Sequence, residues 1–184
     1  MMQDLAMQTL EILMNSIGAK ADTVILRIRD SEHDNRIDIE VEDDGSGMSP
    51  EMVRKVTDPF TTSRKTRKVG LGVAFMKGLT EQCGGSFDIQ SALGVGTTVR
   101  ASVQRDHIDT PPMGDLGEMM MYCVQADENI DFEFYYTTDK GNFKFLSRQV
   151  KEELDGVSLQ EPEILLWIKD YINEGVNNAK EGIE

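Results

Sequence analysis

The sequence is poor in the residues that most readily assign a chain to a class. Its only cysteines, Cys83 and Cys123, are far apart, and there are only two histidines. A disulfide framework or a zinc site is therefore not expected. No apolar run reaches the roughly 18 residues of a membrane-spanning helix. No signal-peptide pattern is visible, so a cytoplasmic protein is expected. Cations are scarce too: 19 Lys and Arg face 33 Asp and Glu, a formal net charge of −14. That balance disfavours nucleic acid or an anionic membrane as the main partner. Internal repeats are absent.

What is present is unevenly distributed. Residues 1–105 carry 13 Lys and Arg against 15 Asp and Glu, net −2, whereas residues 106–184 carry 6 against 18, net −12. Between them, His107–Gly117 holds Pro111, Pro112, Gly114 and Gly117 and reads as a linker. The expected organisation is a domain over 1–105, a linker over 106–118 and an acidic α+β unit over 119–184. An acidic segment of this kind is soluble in itself, or it faces a basic partner.

Along the first part, Ala6, Leu10, Leu13, Met14 and Ile17 recur at helical spacing, and Gly18 ends the helix. Glu11 and Asn15 are four apart and share one face, where a carboxylate and an amide could address one ligand or form an exposed polar stripe. Thr23–Arg29 and Arg36–Glu42 alternate as a hairpin about the polar turn Ser31–Asn35. The second strand runs into Asp43-Asp44-Gly45-Ser46-Gly47-Met48. A carboxylate there can accept hydrogen bonds from an amino group such as that of adenine, and the glycines allow close approach to the backbone. Taken alone, this is equally an Asp-Gly turn between strands. Ser49-Pro50-Glu51-Met52 predicts a capped helix start.

Residues 60–68 place Arg64, Lys65, Arg67 and Lys68 within five positions of an acidic chain, ahead of Gly70-Leu71-Gly72 and a helical run through Cys83. Cations and a helix N-terminus together suit phosphate; a mobile basic loop is the alternative. Ser86–Gln90 and Thr98–Gln104 alternate as strands about Gly94-Val95-Gly96-Thr97. Further on, Met119–Val124, Asp131–Thr137 and Phe143–Leu146 are predicted as strands. Ser147–Leu154 and Pro162–Val176 are predicted as helices.

Four ordered stretches, around Glu11–Asn15, Asp43–Met48, Val69–Val73 and Gly94–Thr98, resemble the ATP site of the GHKL superfamily. That superfamily contains DNA gyrase, the ninety-kilodalton heat-shock chaperones, sensor histidine kinases and mismatch-repair ATPases, and the resemblance covers roughly residues 4–105. It implies an α+β fold of the Bergerat type, an α/β sandwich of a mixed sheet covered by helices, with the C-terminal α+β unit appended. It implies ATP and Mg2+ as ligands, Asn15 binding the magnesium held by the phosphates, and Glu11 deprotonating the attacking water. Asp43, Gly45, Gly47, Met48 and Thr97 would hold the adenine end, Thr97 helping to fix Asp43 and its water. Thr62, Arg64, Lys65, Lys68, Gly70, Leu71 and Gly72 would close over the phosphates. Lys68 departs from the sensor-kinase pattern, which has a further glycine two residues before Gly70.

The resemblance leaves three activities open. They are an ATPase acting as a conformational switch for a regulatory or redox-associated protein partner, a protein kinase of the anti-sigma serine type, and a non-enzymatic ATP-bound adaptor. A homodimer is also left open. Over its full length the chain resembles stand-alone histidine-kinase-like ATP-binding proteins encoded near iron-hydrogenase subunits.

Overall fold

Apolar alternation builds the centre of the molecule. Val24, Leu26 and Ile28 of β1 (Thr23–Ser31) and Ile37, Ile39 and Val41 of β2 (Arg36–Asp43) are all buried on one side of a sheet. Of their neighbours in sequence, Arg27, Arg29, Arg36, Asp38, Glu40 and Glu42 carry charge, and with Ile25 they project to the other side, as a period of two requires. The computed structural model describes residues 4–60 and 71–184. Its remaining elements are α1 (Leu5–Gly18), α2 (Pro50–Thr57), α3 (Gly72–Gln82), β3 (Ser86–Ala92), β4 (Gly96–Gln104), α4 (Leu116–Ala126), β5 (Asp131–Thr138), β6 (Asn142–Leu146), α5 (Ser147–Leu154) and α6 (Pro162–Glu181).

The strands form one mixed sheet in the order β3-β4-β2-β1-β5-β6. All pairings are antiparallel except β1 with β5, which run parallel from Thr23 opposite Asp131 to Asp30 opposite Thr138. Helices bury the apolar face. The other face is open and carries ion pairs: Arg27 meets Glu40 and Glu42, and Arg100 meets Glu40. The α+β class, with a mixed sheet covered by helices, agrees with the expectation.

Two details of the C-terminal part differ from the expectation. Residues 119–124 are helical, not a strand. Leu116, Met119, Met120, Cys123 and Val124 are buried at spacings of three and four, and the Asp115 side chain caps the first turn by accepting from the Glu118 N–H at 2.8 Å. An apolar run this short fits either period, but methionine favours the helix and Asp115 starts it. The second difference is one of connection. The strands after residue 118 extend the sheet built by the first hundred residues. The proline segment packs against α1, where the N–H groups of Leu5 and Ala6 donate to Pro112 and Met113 at 2.9 and 2.8 Å. Gly117 belongs to α4, where an added Cβ would overlap the Lys169 carbonyl of α6.

Among the described residues, no helix is long and apolar enough to cross a membrane.

Candidate functional site

The alternation along β2 places Asp43 on the same face as Ile37, Ile39 and Val41, so a carboxylate ends an apolar row. A charge there needs partners, and it has two. The Ser16 hydroxyl donates to Oδ2 at 2.6 Å and the Gly45 N–H to Oδ1 at 2.9 Å. Ser16 itself is buried on α1. Each carboxylate oxygen can accept more than one hydrogen bond, so acceptor capacity is left for a ligand.

Next to this carboxylate lies a cavity of about 410 Å3 between α1, β2, β4 and the loop after β2. Its wall is largely apolar, with Ile12, Val41, Met52, Val73, Ile89 and Val99 in the lining, and Asn15, Ser16, Asp43 and Thr97 are among its polar points, with Lys20, Ser46 and Ser49. The volume lies within the roughly 300–1,000 Å3 of small-molecule sites.

Glycine shapes the mouth where two loops interlock. Gly47 has φ +66° and Gly96 has φ +138°, both in the region that favours glycine. A Cβ on Gly47 would overlap the Ala92 carbonyl, and one on Gly96 the carbonyl of Asp43 itself. Between the loops the Gly94 N–H donates to the Ser46 carbonyl at 2.8 Å. Asp44 anchors the back of the loop by accepting from the N–H groups of Asp22 and Thr23 at 2.8 and 2.9 Å. The loop is held in place by these contacts.

At the other end of the cavity, α1 and the start of α3 meet. Gly72 packs on Glu11, so that a Cβ would come within 2.7 Å of the Glu11 Cβ. The first turn of α3 follows Leu71, which provides no side-chain cap, and unpaired N–H groups at a helix start favour an anion. Asn15 lines the cavity one turn after Glu11, and its buried Nδ2 has no hydrogen-bond partner among the described residues. A half-turn of the side-chain amide exchanges its nitrogen and oxygen and brings the oxygen to that position. A single amide oxygen fits Mg2+, which keeps several waters and takes its other ligands from phosphate. Among the described residues, no cluster of three or more His, Cys, Asp or Glu could hold a metal by itself.

Of the sequence-predicted residues, Asn15, Asp43, Gly47, Met48 and Thr97 line the cavity. Gly45 sits behind Asp43, against Ala19. Gly72 packs on Glu11 at the α1–α3 contact, Leu71 precedes it and is exposed, and these three stand outside the cavity lining. Thr97 lies opposite Asp43 in the β2–β4 register, but its hydroxyl pairs with Ser91 at 2.8 Å, and Ser91 also accepts from the Met48 N–H. Thr62, Arg64, Lys65, Lys68 and Gly70 lie outside the described residues. Sequence reasoning missed Ser16, Ser91 and Lys20, the last a cavity residue at φ +56°. Ser16 had a signal: it is a hydroxyl four positions after Ile12 on the buried face of α1.

Residues 3–107 match the family model described as histidine kinase-, DNA gyrase B- and HSP90-like ATPase. The chain is 34% identical over 86 residues to the sensor kinase CckA of Brucella abortus, covering 46% of this chain and 9% of that one. It is 32% identical over 89 residues to the sensor histidine kinase ZraS of Klebsiella oxytoca, covering 47% and 19%. The chain thus spans less than a fifth of the length of either kinase. Among solved structures, the Aquifex aeolicus MutL ATPase domain complexed with ADP shares the fold, with a TM-score of 0.51 at 15% identity over 84% of this chain and 68% of that one. With more than half of its length matched, the chain belongs to the histidine kinase-, DNA gyrase B- and HSP90-like ATPase family.

Proposed function

We propose that this protein binds Mg-ATP in the cavity beside Asp43 and hydrolyses it, using the nucleotide state to switch its contact with a regulatory or redox-associated protein. Family membership implies ATP binding. The observation that carries the reading to these residues is Asp43, a carboxylate on an apolar face, oriented by Ser16 and Gly45 at the rim of an apolar cavity. Adenine fits such a site, because its flat ring needs apolar walls and its amine needs one acceptor. The phosphates would then point toward the start of α3 and Asn15, with Thr62, Arg64, Lys65, Lys68 and Gly70 proposed to close over them.

Magnesium, when bound, would neutralise phosphate oxygens, and Asn15 is the residue proposed to hold it. Glu11, one helical turn away, is the proposed general base. It would take a proton from water as the water oxygen bonds to the γ-phosphorus and the bond to ADP breaks, giving ADP and phosphate. A general base of this kind is worth roughly two to four orders of magnitude in rate. The resemblance of the ATP-site motifs to those of anti-sigma serine kinases supports a second reading, in which a hydroxyl of a partner protein takes the place of water.

ATP labelled at the γ-phosphate, incubated alone and with cell extract, tests both. The expected result is free labelled phosphate from the wild type. Glu11→Ala should abolish its release while keeping ATP affinity, and Asn15→Ala should weaken both. Label on a partner protein, lost in Glu11→Ala, would move the conclusion to the kinase. Intact ATP under every condition would leave a nucleotide-bound adaptor.

A further inference from the structure

A second hollow lies at the end of the sheet away from Asp43. β1 and β5 run parallel, and their carboxyl ends lie side by side, with Asp30 level with Thr138. In open sheets, ligands bind in the crevice beyond the carboxyl ends of parallel strands. A cavity of about 440 Å3 occupies that place, a size suited to a small molecule. Asp43 pairs in register with Val24, so roughly 20 Å of β1 separates the two cavities. The apolar lining is Ile37 of β2 with Pro111, Pro112 and Met113, and the last two are held by the N–H groups at the start of α1. The Thr138 hydroxyl donates to the Ala179 carbonyl at 2.8 Å and ties the β5–β6 turn to the end of α6. The walls are thus pinned, and the hollow is preformed.

Six charged side chains line it, three of each sign, and they are not equally free. Asp30 accepts from Nε of Arg105 at 2.7 Å and from the Tyr136 hydroxyl at 3.1 Å, and Glu32 meets the same guanidinium at 3.3 Å. Asp139 accepts from the Ser31 hydroxyl at 2.7 Å and the His33 N–H at 2.9 Å. Every carboxylate of the lining is therefore turned to a donor of the protein itself. Lys140 and Lys180 differ: among the described residues, neither ammonium meets a carboxylate. That of Lys180 stands 5.9 Å from the centre of the buried Tyr136 ring, which keeps it against the sheet. Lys140 comes from the turn after β5 and lies beside Gly182, just past α6. Two unpaired cations from separate elements share one cavity with an apolar patch.

We infer that this hollow is a second binding site, for a small organic monoanion. Its carboxylate lies between Lys140 and Lys180, and a body of a few carbons rests on Ile37 and the Pro111–Met113 segment. A single negative charge suits two free ammonium groups. A phosphate carries nearly two at neutral pH and brings the second against Asp30, Glu32 and Asp139. The site shares no residue with the nucleotide cavity, so the inference stands independently of that reading.

The test titrates hexanoate into the full, nitrogen-15-labelled chain at low salt and follows amide shifts by NMR. Shifts should centre on Thr138, Lys140, Lys180 and Met113 and leave the Asp43–Met48 loop unmoved. Lys140→Gln with Lys180→Gln should weaken hexanoate roughly tenfold, the sum of two partly exposed charge contacts. Lys144→Gln, outside the lining, should change nothing. Hexanamide, which keeps the body and lacks the charge, and acetate, which keeps the charge and lacks the body, should both bind more weakly than hexanoate. Absence of shifts at the hollow, equal binding of hexanamide or acetate, or unchanged affinity in the double variant would overturn the inference. So would tighter binding of inorganic phosphate at the same amides.

Discussion

Asp43 on β2 and Phe134 on β5 both face the helices from strands that flank β1, and their surroundings contrast sharply. Around Phe134 the layer is complete: Phe132, Tyr136 and Phe145 are all buried within 2% exposure, and Gly117 and Gly175 let α4 and α6 close in. Around Asp43 the same layer is left open. An apolar hollow, an Asn15 amide nitrogen unpaired among the described residues and two positive-φ glycines stand where side chains would otherwise interlock. On the proposed function, holding the fold together and holding a ligand fall on opposite sides of one strand. Substitutions on the two sides should fail in different assays.

The largest effect is expected from Phe134→Ala. Emptying that position should cost about 3–5 kcal/mol of stability, read by urea unfolding, while ATP affinity of the remaining folded protein stays near wild type. Equal losses of stability and affinity would erase the contrast. Asp43→Asn should show the reverse. It places an amide donor against the adenine amine, so ATP binding should fall by about 1–3 kcal/mol, or roughly five- to 150-fold. The urea midpoint should move little, and calorimetric titration beside the unfolding curve checks both. Ser16→Ala should be the mildest. Losing a 2.6 Å hydrogen bond to a carboxylate should weaken ATP and adenosine alike by about 1.5 kcal/mol. A loss confined to ATP would mean that Ser16 acts on the phosphates.

Much of the ligand side was legible in the sequence, because its signals are local. Strict alternation through Ile37, Ile39 and Val41 fixed which face Asp43 would share, and Gly47 and Gly96 marked turns that only small residues fit. The helical period marks Ser16 as a buried hydroxyl, but nothing near it in sequence reveals its partner Asp43, 27 positions on. The packed side was harder to read. The Met119–Val124 run suits two periods, and its cap at Asp115 lay in a stretch read as linker. The parallel pairing of β1 with β5 leaves no short-range trace at all. Pro111 and Pro112 suggested a boundary, while the backbone beside them binds the start of α1.

That parallel pairing also sets an order of events during synthesis. β5 begins at Asp131, 100 residues after β1 ends at Ser31. At a ribosomal rate of roughly 5–20 residues per second, β1 waits roughly 5–20 seconds for its neighbour. Throughout that interval β2 and β4 can already frame the ligand cavity, while the other edge of β1 stays open to any passing strand. If the proposed site is right, the nascent chain can meet its nucleotide before it meets its own last two strands, and early binding would steady the half-built sheet against wrong pairing.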